Sequence, residues 1–413
     1  NKQAKGKVRE LLDKINEKDD MDQVCDNLGL NKIMDHDIKT LSGGEMQRVA
    51  IAATVLKKAN IYIFDEPTSY LDIKQRLIVS KFIKNLADED TSVLVIEHDL
   101  VALDYMTNLI HIMYGKEGCY GVVSLPKPAR VGINTYLDGF LRDENIRFRD
   151  SHIKFDVKIP FEESKMVNLT TWPELSKKLG KFSLKASSGE IYRNEIVGIL
   201  GENAIGKTTF VKILAGELKP DSGVIDSELK VAYKPQYIDT DSDELVIIYL
   251  ANAFRKYVNQ IVKPLGISLL QGKKLNELSG GQLQRVSIAK ALSQDANLVL
   301  LDEPSAYLDV EQRLLVSKVI RNVVDMSGFS VLVVDHDLVF LDYLSNRLLV
   351  FDGETSVSGS ANGPFNMEKG MNSLLTEVNI TLRRDKDSGR PRINKPGSQK
   401  DQQQKKSGNL YYA

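Results

Sequence analysis

A twelve-residue segment that occurs twice constrains the fold more than any other feature of this sequence. LSGGEMQRVAIA at 41–52 returns as LSGGQLQRVSIA at 278–289. The spacing is kept beyond it, because Asp302 of LVLLDEPSAYLD stands 237 positions after Asp65 of IYIFDEPTSYLD. Similarity at a fixed period indicates repeated structural units. The chain is therefore predicted to contain two units of one type, with ARVGINTYLDGFL and EKGMNSLLTEV as parts of matching connectors.

Five short apolar runs end in polar turns, which is typical of β-strands. They are ANIYIFDEP, TSVLVIEHD, EIVGILGEN, ANLVLLDEP and FSVLVVDHD. Fully apolar strands of this kind are buried on both faces of a parallel sheet that helices flank. The segment KVRELLDKINEKDDMDQVCDNLGL has an apolar spacing that predicts a helix, and it holds few helix breakers. The sequence thus predicts an α/β fold.

The segment GENAIGKTT at 201–209 fits the phosphate-loop pattern GxxxxGK[ST] and occurs once. Its glycines let backbone N–H groups approach phosphates, and the following helix start favours negative charge. We expect Lys207 to reach the terminal phosphates of ATP and Thr208 to ligate Mg²⁺. The period of 237 residues would place a first phosphate loop upstream of Asn1, so we expect a chain truncated at its amino-terminal side. The candidate nucleotide-binding residues of the loop are Gly201, Glu202, Asn203, Ala204, Gly206, Lys207, Thr208 and Thr209.

An Asp-Glu pair ends an apolar, strand-like run in each unit, as Asp65-Glu66 and Asp302-Glu303. A carboxylate at the end of such a strand is placed to hold Mg²⁺, and the next one to accept a proton from the attacking water. We assign Asp302 to the metal and Glu303 to the general base, with Glu66 as its counterpart. The alternative is a solvated turn, but the same pair at the same distance from both SGG segments argues against it.

Four further residues carry expectations that compete with structural roles. His98 and His336 follow apolar strands and are predicted to contact the terminal phosphate, although an isolated histidine there is often a packed residue. Gln236 of VAYKPQY is a candidate link to Mg²⁺. Phe182 precedes Lys207 by 25 positions and is predicted to stack on adenine, but an aromatic residue in a β-rich segment is core nearly as often.

Together, the duplicated LSGG[EQ]xQR, the Asp-Glu pairs and the phosphate loop resemble the ABC-type ATPases over residues 1 to about 357. The resemblance implies two head-to-tail P-loop NTPase domains, each with a parallel-sheet core and helices, the first of them incomplete. It also implies that each nucleotide lies between one domain's phosphate loop and the other domain's SGG segment. Many relatives have Gly where this chain has Ala204.

Two nucleotide sites follow from that resemblance. The intact site would combine the phosphate loop, Gln236, Asp302, Glu303 and His336 with Ser42, Gly43, Gly44, Glu45 and Asp72 of the other unit. The second site would hold Ser279, Gly280, Gly281, Gln282 and Asp309 with Asp65, Glu66 and His98, but no phosphate loop.

The connectors are more specific than the ATPase motifs. YGVVSLPKPARVGINTYLDGFL, GMNSLL and RRDKDSGRPRINKPGSQKDQQQKKSG resemble the class E ABC family, the RNase L inhibitor or ribosome-recycling ATPases of archaea and eukaryotes. That resemblance implies ATP-driven splitting of ribosomes, with the small ribosomal subunit (its RNA and protein) and termination factors as partners. It also implies iron–sulfur clusters in a full-length member, which the two cysteines here cannot hold. The alternatives are an ABC transporter's ATPase subunit and a chromosome-maintenance ATPase, which would need a long coiled coil.

Composition sets broad limits. The 413 residues are 42% hydrophobic and 27% charged with a net charge of -1, which is ordinary for globular proteins. No apolar run approaches the roughly 20 residues of a membrane-spanning helix, so we expect a cytoplasmic protein without membrane partners.

The domain boundaries follow from the motifs and from changes in composition. The expected order is 1–120 (part of the first ATPase domain), 121–158 (hinge), 159–357 (second ATPase domain) and 358–413 (hinge and basic tail). The tail beyond about 383 is predicted to be disordered or laid over another surface, because it has almost no apolar residues. Basic residues suited to phosphate contacts, or alternatively to a solvated face, are Arg130, Arg142, Arg383, Arg384, Arg390 and Arg392.

Overall fold

The computed structural model describes residues 6–116, 119–150, 152–153, 155, 166–225, 229–236 and 242–411. The chain divides into two compact units, Asn1–Lys154 and Phe155–Ala413. The division falls inside the predicted hinge 121–158, whose described residues up to 153 belong to the first unit.

The first unit contains short helices around one parallel strand pair, followed by small antiparallel pairs. Its elements are α1 (Val8–Ile15), α2 (Met21–Asn27), α3 (Gly43–Val55), β1 (Ile61–Asp65), α4 (Ile73–Lys84), β2 (Ser92–Ile96), α5 (Leu100–Met106), β3 (Leu109–Ile110), β4 (Met113–Lys116), β5 (Tyr120–Val123), β6 (Lys127–Pro128), α6 (Ala129–Asp138), β7 (Phe140–Leu141) and β8 (Ile146–Arg147). β1 and β2 are parallel, and β3–β6, β4–β5 and β7–β8 are antiparallel pairs.

The second unit contains a large mixed sheet and the helices that pack on it. Its elements are β9 (Asn168–Trp172), β10 (Leu175–Leu179), β11 (Phe182–Ala186), β12 (Gly189–Tyr192), β13 (Ile196–Leu200), α7 (Lys207–Leu214), β14 (Val231–Lys234), α8 (Val246–Tyr249), α9 (Ala251–Lys256), α10 (Gly280–Leu292), β15 (Leu298–Asp302), α11 (Val310–Ser327), β16 (Ser330–Val334), α12 (Leu338–Leu344), β17 (Arg347–Glu354), β18 (Ser358–Asn366), α13 (Met367–Glu377), β19 (Leu382–Arg384), β20 (Pro391–Ile393) and α14 (Gln399–Ser407).

The sheet of the second unit has eight strands in the order β10-β11-β18-β17-β13-β16-β15-β14. Its centre is parallel, since β13 pairs with β16 and β17, and β15 pairs with β14 and β16. Every residue of β13, β15 and β16 is buried, as the apolar runs predict. In a parallel sheet, the carboxyl ends of strands meet at one edge, where ligands bind. The phosphate loop follows β13, Asp302 is the last residue of β15, and His336 lies two residues after the end of β16.

Burial of the strands on both faces is a wrong prediction for the first unit. Along β1 exposed and buried residues alternate, and Ile61 and Ile63 lie on the exposed face. Leu94 and Ile96 of β2 are exposed as well. The reason is tertiary: in the second unit, residues of α7 share a core cluster with Leu298 and Leu300 of β15, and the described residues of the first unit include no counterpart of that helix.

The single helix predicted at 7–30 is two helices, α1 and α2. The chain leaves the helix after Ile15, and Asp19 adopts a φ of 60°. The helix ends because Asn16 is extended (φ -73°, ψ 99°), and the left-handed Asp19 lies in the polar run between the two helices, which offers no apolar contact to continue α1.

The connectors repeat as the sequence predicts, and the basic tail is ordered. α6 with β7–β8 in the first unit corresponds to α13 with β19–β20 in the second. The tail packs on its own unit: the Leu410 N–H donates to Asn372 Oδ1 (2.8 Å), and Tyr411 donates to Asp342. Of the basic residues predicted for phosphate contacts, Arg390 is fully buried, which corrects that prediction.

Candidate nucleotide site

The phosphate loop connects β13 to α7 and depends on residues with positive φ. Gly201 has a φ of 146° and Gly206 a φ of 96°. A Cβ at Gly201 would lie 2.7 Å from the Phe351 carbonyl oxygen, and one at Gly206 2.8 Å from the Phe182 ring. Glycine is therefore required at both positions. Ala204 also has a positive φ, of 57°. This left-handed conformation is energetically unfavourable for an alanine.

Three polar side chains meet beside the loop. Lys207 is 6% exposed, and its ammonium donates to the Gly201 carbonyl oxygen (2.9 Å). The same Nζ lies 3.1 Å from His336 Nε2, which is 2.9 Å from Asn203 Oδ1. Lys207, at the start of α7, and His336, in the turn after β16, therefore lie together, as a terminal-phosphate site requires.

The two acidic residues lie at the end of β15 in different surroundings. Asp302 is buried and accepts from the Tyr233 hydroxyl (3.3 Å). Glu303 accepts from Gln236 Nε2 (2.7 Å), and its Oε1 lies 3.8 Å from His336 Nε2. Glu303 has a φ of 46°, an uncommon conformation for a non-glycine residue that is typical of functional sites.

Burial raises the pKa of both carboxyl groups. Desolvation is the main cause for Asp302, and the Lys207 ammonium opposes it. For Glu303, desolvation and the nearby Asp335 carboxylate raise the pKa, while the Gln236 hydrogen bond lowers it. A carboxyl group with a raised pKa is a better proton acceptor, which suits a general base.

The donor set fits Mg²⁺ held together with phosphates. Mg²⁺ prefers oxygen ligands and is often bound by one or two carboxylates plus substrate phosphates. Asp302 offers a carboxylate at the sheet edge and Thr208 an exposed hydroxyl. Among the described residues no group of three or more His, Cys, Asp or Glu side chains could hold a metal. When bound, Mg²⁺ would neutralise phosphate charge there, with Asp302, Thr208 and the Gln236 amide as the residues that would hold it.

Two residues that the motifs do not assign to the site, Lys234 and Gln284, donate hydrogen bonds to the main-chain carbonyl oxygens of the Asp-Glu pair. Lys234, 1% exposed, donates to the Asp302 carbonyl oxygen (2.7 Å), and burial lowers its pKa to about 8. Gln284 donates to the Glu303 carbonyl oxygen (2.6 Å), as Gln47 does to that of Glu66 (3.2 Å). The signal for Gln284 is the glutamine shared by both LSGGxxQ segments, and the signal for Lys234 is a cation inside a strand.

The two SGG segments begin α3 and α10 with the same cap. Ser42 caps α3, and its N–H donates to Glu45 Oε2 (2.8 Å). The equivalent bond from Ser279 to Gln282 is 3.3 Å. Gly43 and Gly280 are exposed at these helix starts. Gly44 and Gly281 allow a close approach, since a Cβ there would lie 3.0 and 2.9 Å from the carbonyl oxygens of Tyr70 and Tyr307.

The remaining predicted site residues lie within their own units. Glu66 and His98 are about half exposed and 3.5 Å apart, and Asp65 is exposed. Asp72 and Asp309 cap α4 and α11 by accepting from Gln75 and Gln312 N–H groups. Phe182 packs partly into the core beside Gly206, so its contact with adenine stays a prediction, as do the nucleotide contacts of Glu202 and Thr209.

Comparison with known proteins agrees with these motifs. The family described as ABC transporter matches residues 1–69 and 184–306. ABC transporter E family member 1 of Arabidopsis thaliana is 40% identical over 99% of this chain and 70% of its own length. The chain belongs to the class E ABC ATPases. It has the ATPase activity that defines ABC-type domains, with ATP and Mg²⁺ as substrate and metal.

Two solved structures resemble this chain over its whole length. One is the complex of the archaeal ribosomal stalk protein aP1 with the archaeal ribosome recycling factor aABCE1. It has a TM-score of 0.94 and 50% identity, over 100% of this chain and 81% of the matched one. The other is a model of ribosome-bound archaeal Pelota and ABCE1, with a TM-score of 0.93 and 49% identity, over 100% of this chain and 70% of that one. Among the described residues, no helix is long and apolar enough to cross a membrane.

Proposed function

We propose that the second unit binds Mg-ATP on the phosphate loop and hydrolyses it with Glu303 as the general base. The observation that carries this is the meeting of Lys207, His336 and Glu303 within 3.1 and 3.8 Å at one sheet edge. Lys207 would bind the terminal phosphates. His336 would bind the γ-phosphate, and Glu303 would accept the proton of the attacking water.

The contribution of the first unit is proposed from the sequence. In the family that the motifs define, the SGG segment of one domain binds the nucleotide held by the other. Ser42, Gly43, Gly44 and Glu45 are therefore proposed to bind the γ-phosphate of ATP held by Lys207. An exposed helix start with bare glycine N–H groups supports that assignment. Ser279 to Gln282, with Glu66 and His98, are proposed for the second site.

We propose that closure of the two units on ATP drives the splitting of ribosomes into subunits. The support is the 50% identity over the whole chain to a protein described as a ribosome recycling factor. Another similar structure places its protein on a ribosome with Pelota, which supports termination factors as partners. ATP can favour closure only through contacts that differ between the open and closed states, and the γ-phosphate provides them. The proposed location is the cytoplasm.

Sedimentation with ribosomal subunits tests this function. Glu303→Gln should trap ATP, so this variant should migrate with small subunits on a gradient in Mg-ATP. The matched control is Glu303→Gln with Lys207→Ala, which should lose co-migration because it loses the phosphate contact. Co-migration that is independent of ATP and Lys207, or retention in a membrane fraction with no ribosomal binding, would refute recycling. Membrane retention would favour the transporter subunit.

A further inference from the structure

The turn that carries His336 is fastened to the loop that follows Glu303 by one carboxylate. Asp335 is 2% exposed and lies directly before His336. Its Oδ2 accepts from the Ser305 N–H (3.0 Å). Its Oδ1 accepts from the Ser305 hydroxyl (2.7 Å) and from the Asp337 N–H (2.9 Å). Three donors thus converge on a buried acceptor, two from the loop and one from the turn.

A second set of contacts, made by Arg313, also joins the loop after Glu303 to the turn around His336. Asp337 pairs with Arg313 of α11 (2.5 Å), and Arg313 Nε donates to the Leu308 carbonyl oxygen (2.8 Å). The loop after Glu303 and the turn around His336 are therefore tied near both of their ends.

The first unit builds the same connection from different residues. Glu97 Oε2 accepts from the Thr68 hydroxyl (2.8 Å) and N–H (3.3 Å). Its Oε1 accepts from the His98 and Asp99 N–H groups (3.0 and 3.2 Å). The Arg76–Asp99 pair also recurs, at 2.8 Å. Thr-Glu replaces Ser-Asp, so both partners differ in size while the bonding pattern is retained.

The retained quantity is the spacing between the acid and the histidine. Glu66 Oε1 lies 3.5 Å from His98 Nε2, and Glu303 Oε1 lies 3.8 Å from His336 Nε2. We propose that Asp335 is a positioning residue whose bonds to Ser305 set the spacing between Glu303 and His336. This inference rests on the proposed function of the nucleotide site. A displacement of about 1 Å in such a site can lower the rate about 100-fold.

Asp335→Asn tests the proposal, because the amide keeps one acceptor oxygen but places its NH2 group where the second oxygen accepts, so at least one of the three hydrogen bonds is lost. We expect kcat for ATP to fall about 10- to 100-fold while KM stays within about threefold. Ser305→Thr with Asp335→Glu recreates the pair of the first unit and should recover kcat to within about threefold of the parent. Asp335→Glu alone is the matched control. It should stay impaired, because the longer acid then faces Ser305 and not the threonine with which Glu97 pairs in the first unit.

Kinetic and structural results decide the proposal. An unchanged kcat in Asp335→Asn, or a double variant no better than Asp335→Glu alone, would overturn it. If Asp335→Asn fails to fold, Ser305→Ala replaces it and should lower kcat roughly five- to tenfold, and no change there is equally fatal. A crystal structure provides a readout that needs no turnover: in the Asp335 or Ser305 variant, the Glu303–His336 spacing should differ from 3.8 Å by about 1 Å. An inactive parent with the expected structural shift would refute the proposed hydrolysis but support the positioning role.

Discussion

The second unit contains a buried ion pair, and removing its cation has a calculable cost. Glu195 is fully buried, and both its oxygens accept from the Arg347 guanidinium, at 2.5 and 3.0 Å. Arg347 also donates to the Glu190 carbonyl oxygen (2.9 Å). These bonds join the start of β13, which leads into the phosphate loop, to the start of β17. Arg347→Met would remove the cation and leave the anion buried.

The size of the effect follows from the free energy needed to protonate the Glu195 carboxylate once Arg347 is replaced. A carboxylate buried without its cation takes up a proton. At pH 7, protonating a carboxyl group of ordinary pKa, about 4.3, costs about 3.7 kcal/mol. The lost bond to Glu190 adds roughly 1.5 kcal/mol or more, and the methionine's packing offsets part of it. Arg347→Met should therefore lower the free energy of unfolding by about 3–5 kcal/mol, which is the usual cost of breaking a buried pair.

The pH dependence has a definite sign. The folded variant binds a proton that the unfolded chain releases above about pH 4.3, so its stability falls as the pH rises. The loss should therefore shrink by about 2.7 kcal/mol between pH 7 and pH 5. Arg347→Met combined with Glu195→Gln carries no buried charge, so it should recover most of the stability and show no such pH dependence.

The chain carries its own probe for this measurement. Trp172 is the single tryptophan of the sequence and is buried in the core of the second unit, so its fluorescence reports unfolding of that unit. With a urea m-value of about 3 kcal/mol/M, the midpoint should drop by roughly 1–1.7 M. Lys230→Met is the control: it breaks an exposed pair with Asp295 (3.1 Å) and should cost under about 1 kcal/mol. A midpoint within about 0.3 M of the parent, or an equal loss at pH 5 and pH 7, would refute the reasoning.

Two further predictions concern catalysis and the first unit. Glu303→Gln keeps an oxygen for the Gln236 bond but loses the base, so ATP binding should persist while single-turnover hydrolysis slows about 10²- to 10⁴-fold; unchanged hydrolysis would remove Glu303 from that role. Burial raises the pKa of the Cys25 thiol, whereas Cys119 is exposed, so a thiol reagent at pH 8 should label Cys119 quickly and Cys25 only on unfolding. Equal labelling of both cysteines in the folded protein would show that the first unit does not bury Cys25.

The strands could be predicted from sequence because each is a short apolar run between polar turns. All five predicted runs contain strands of the structure, β1, β2, β13, β15 and β16. Their burial could not be predicted in the same way, because a run's composition does not say whether neighbouring strands and helices cover it. Ile63 and Leu300 occupy matching positions of the repeat, yet one is exposed and the other buried. Burial on both faces is a tertiary property.

The site likewise contains residues that the sequence predicts and residues that it does not. Motif spacing located the phosphate loop, the Asp-Glu pair and the two histidines, because chemistry fixes which residue types must follow each strand. It did not predict Lys234 or Asp335, which bind main-chain groups and the Ser305 hydroxyl. Any buried donor or acceptor of suitable reach can satisfy a main-chain group, so such partners vary in identity, as Thr68–Glu97 and Ser305–Asp335 do. What the two units share is the geometry that these partners maintain. In a repeated fold, positioning residues can therefore be recognised by hydrogen bonds that recur at equivalent positions, even where the residue types differ.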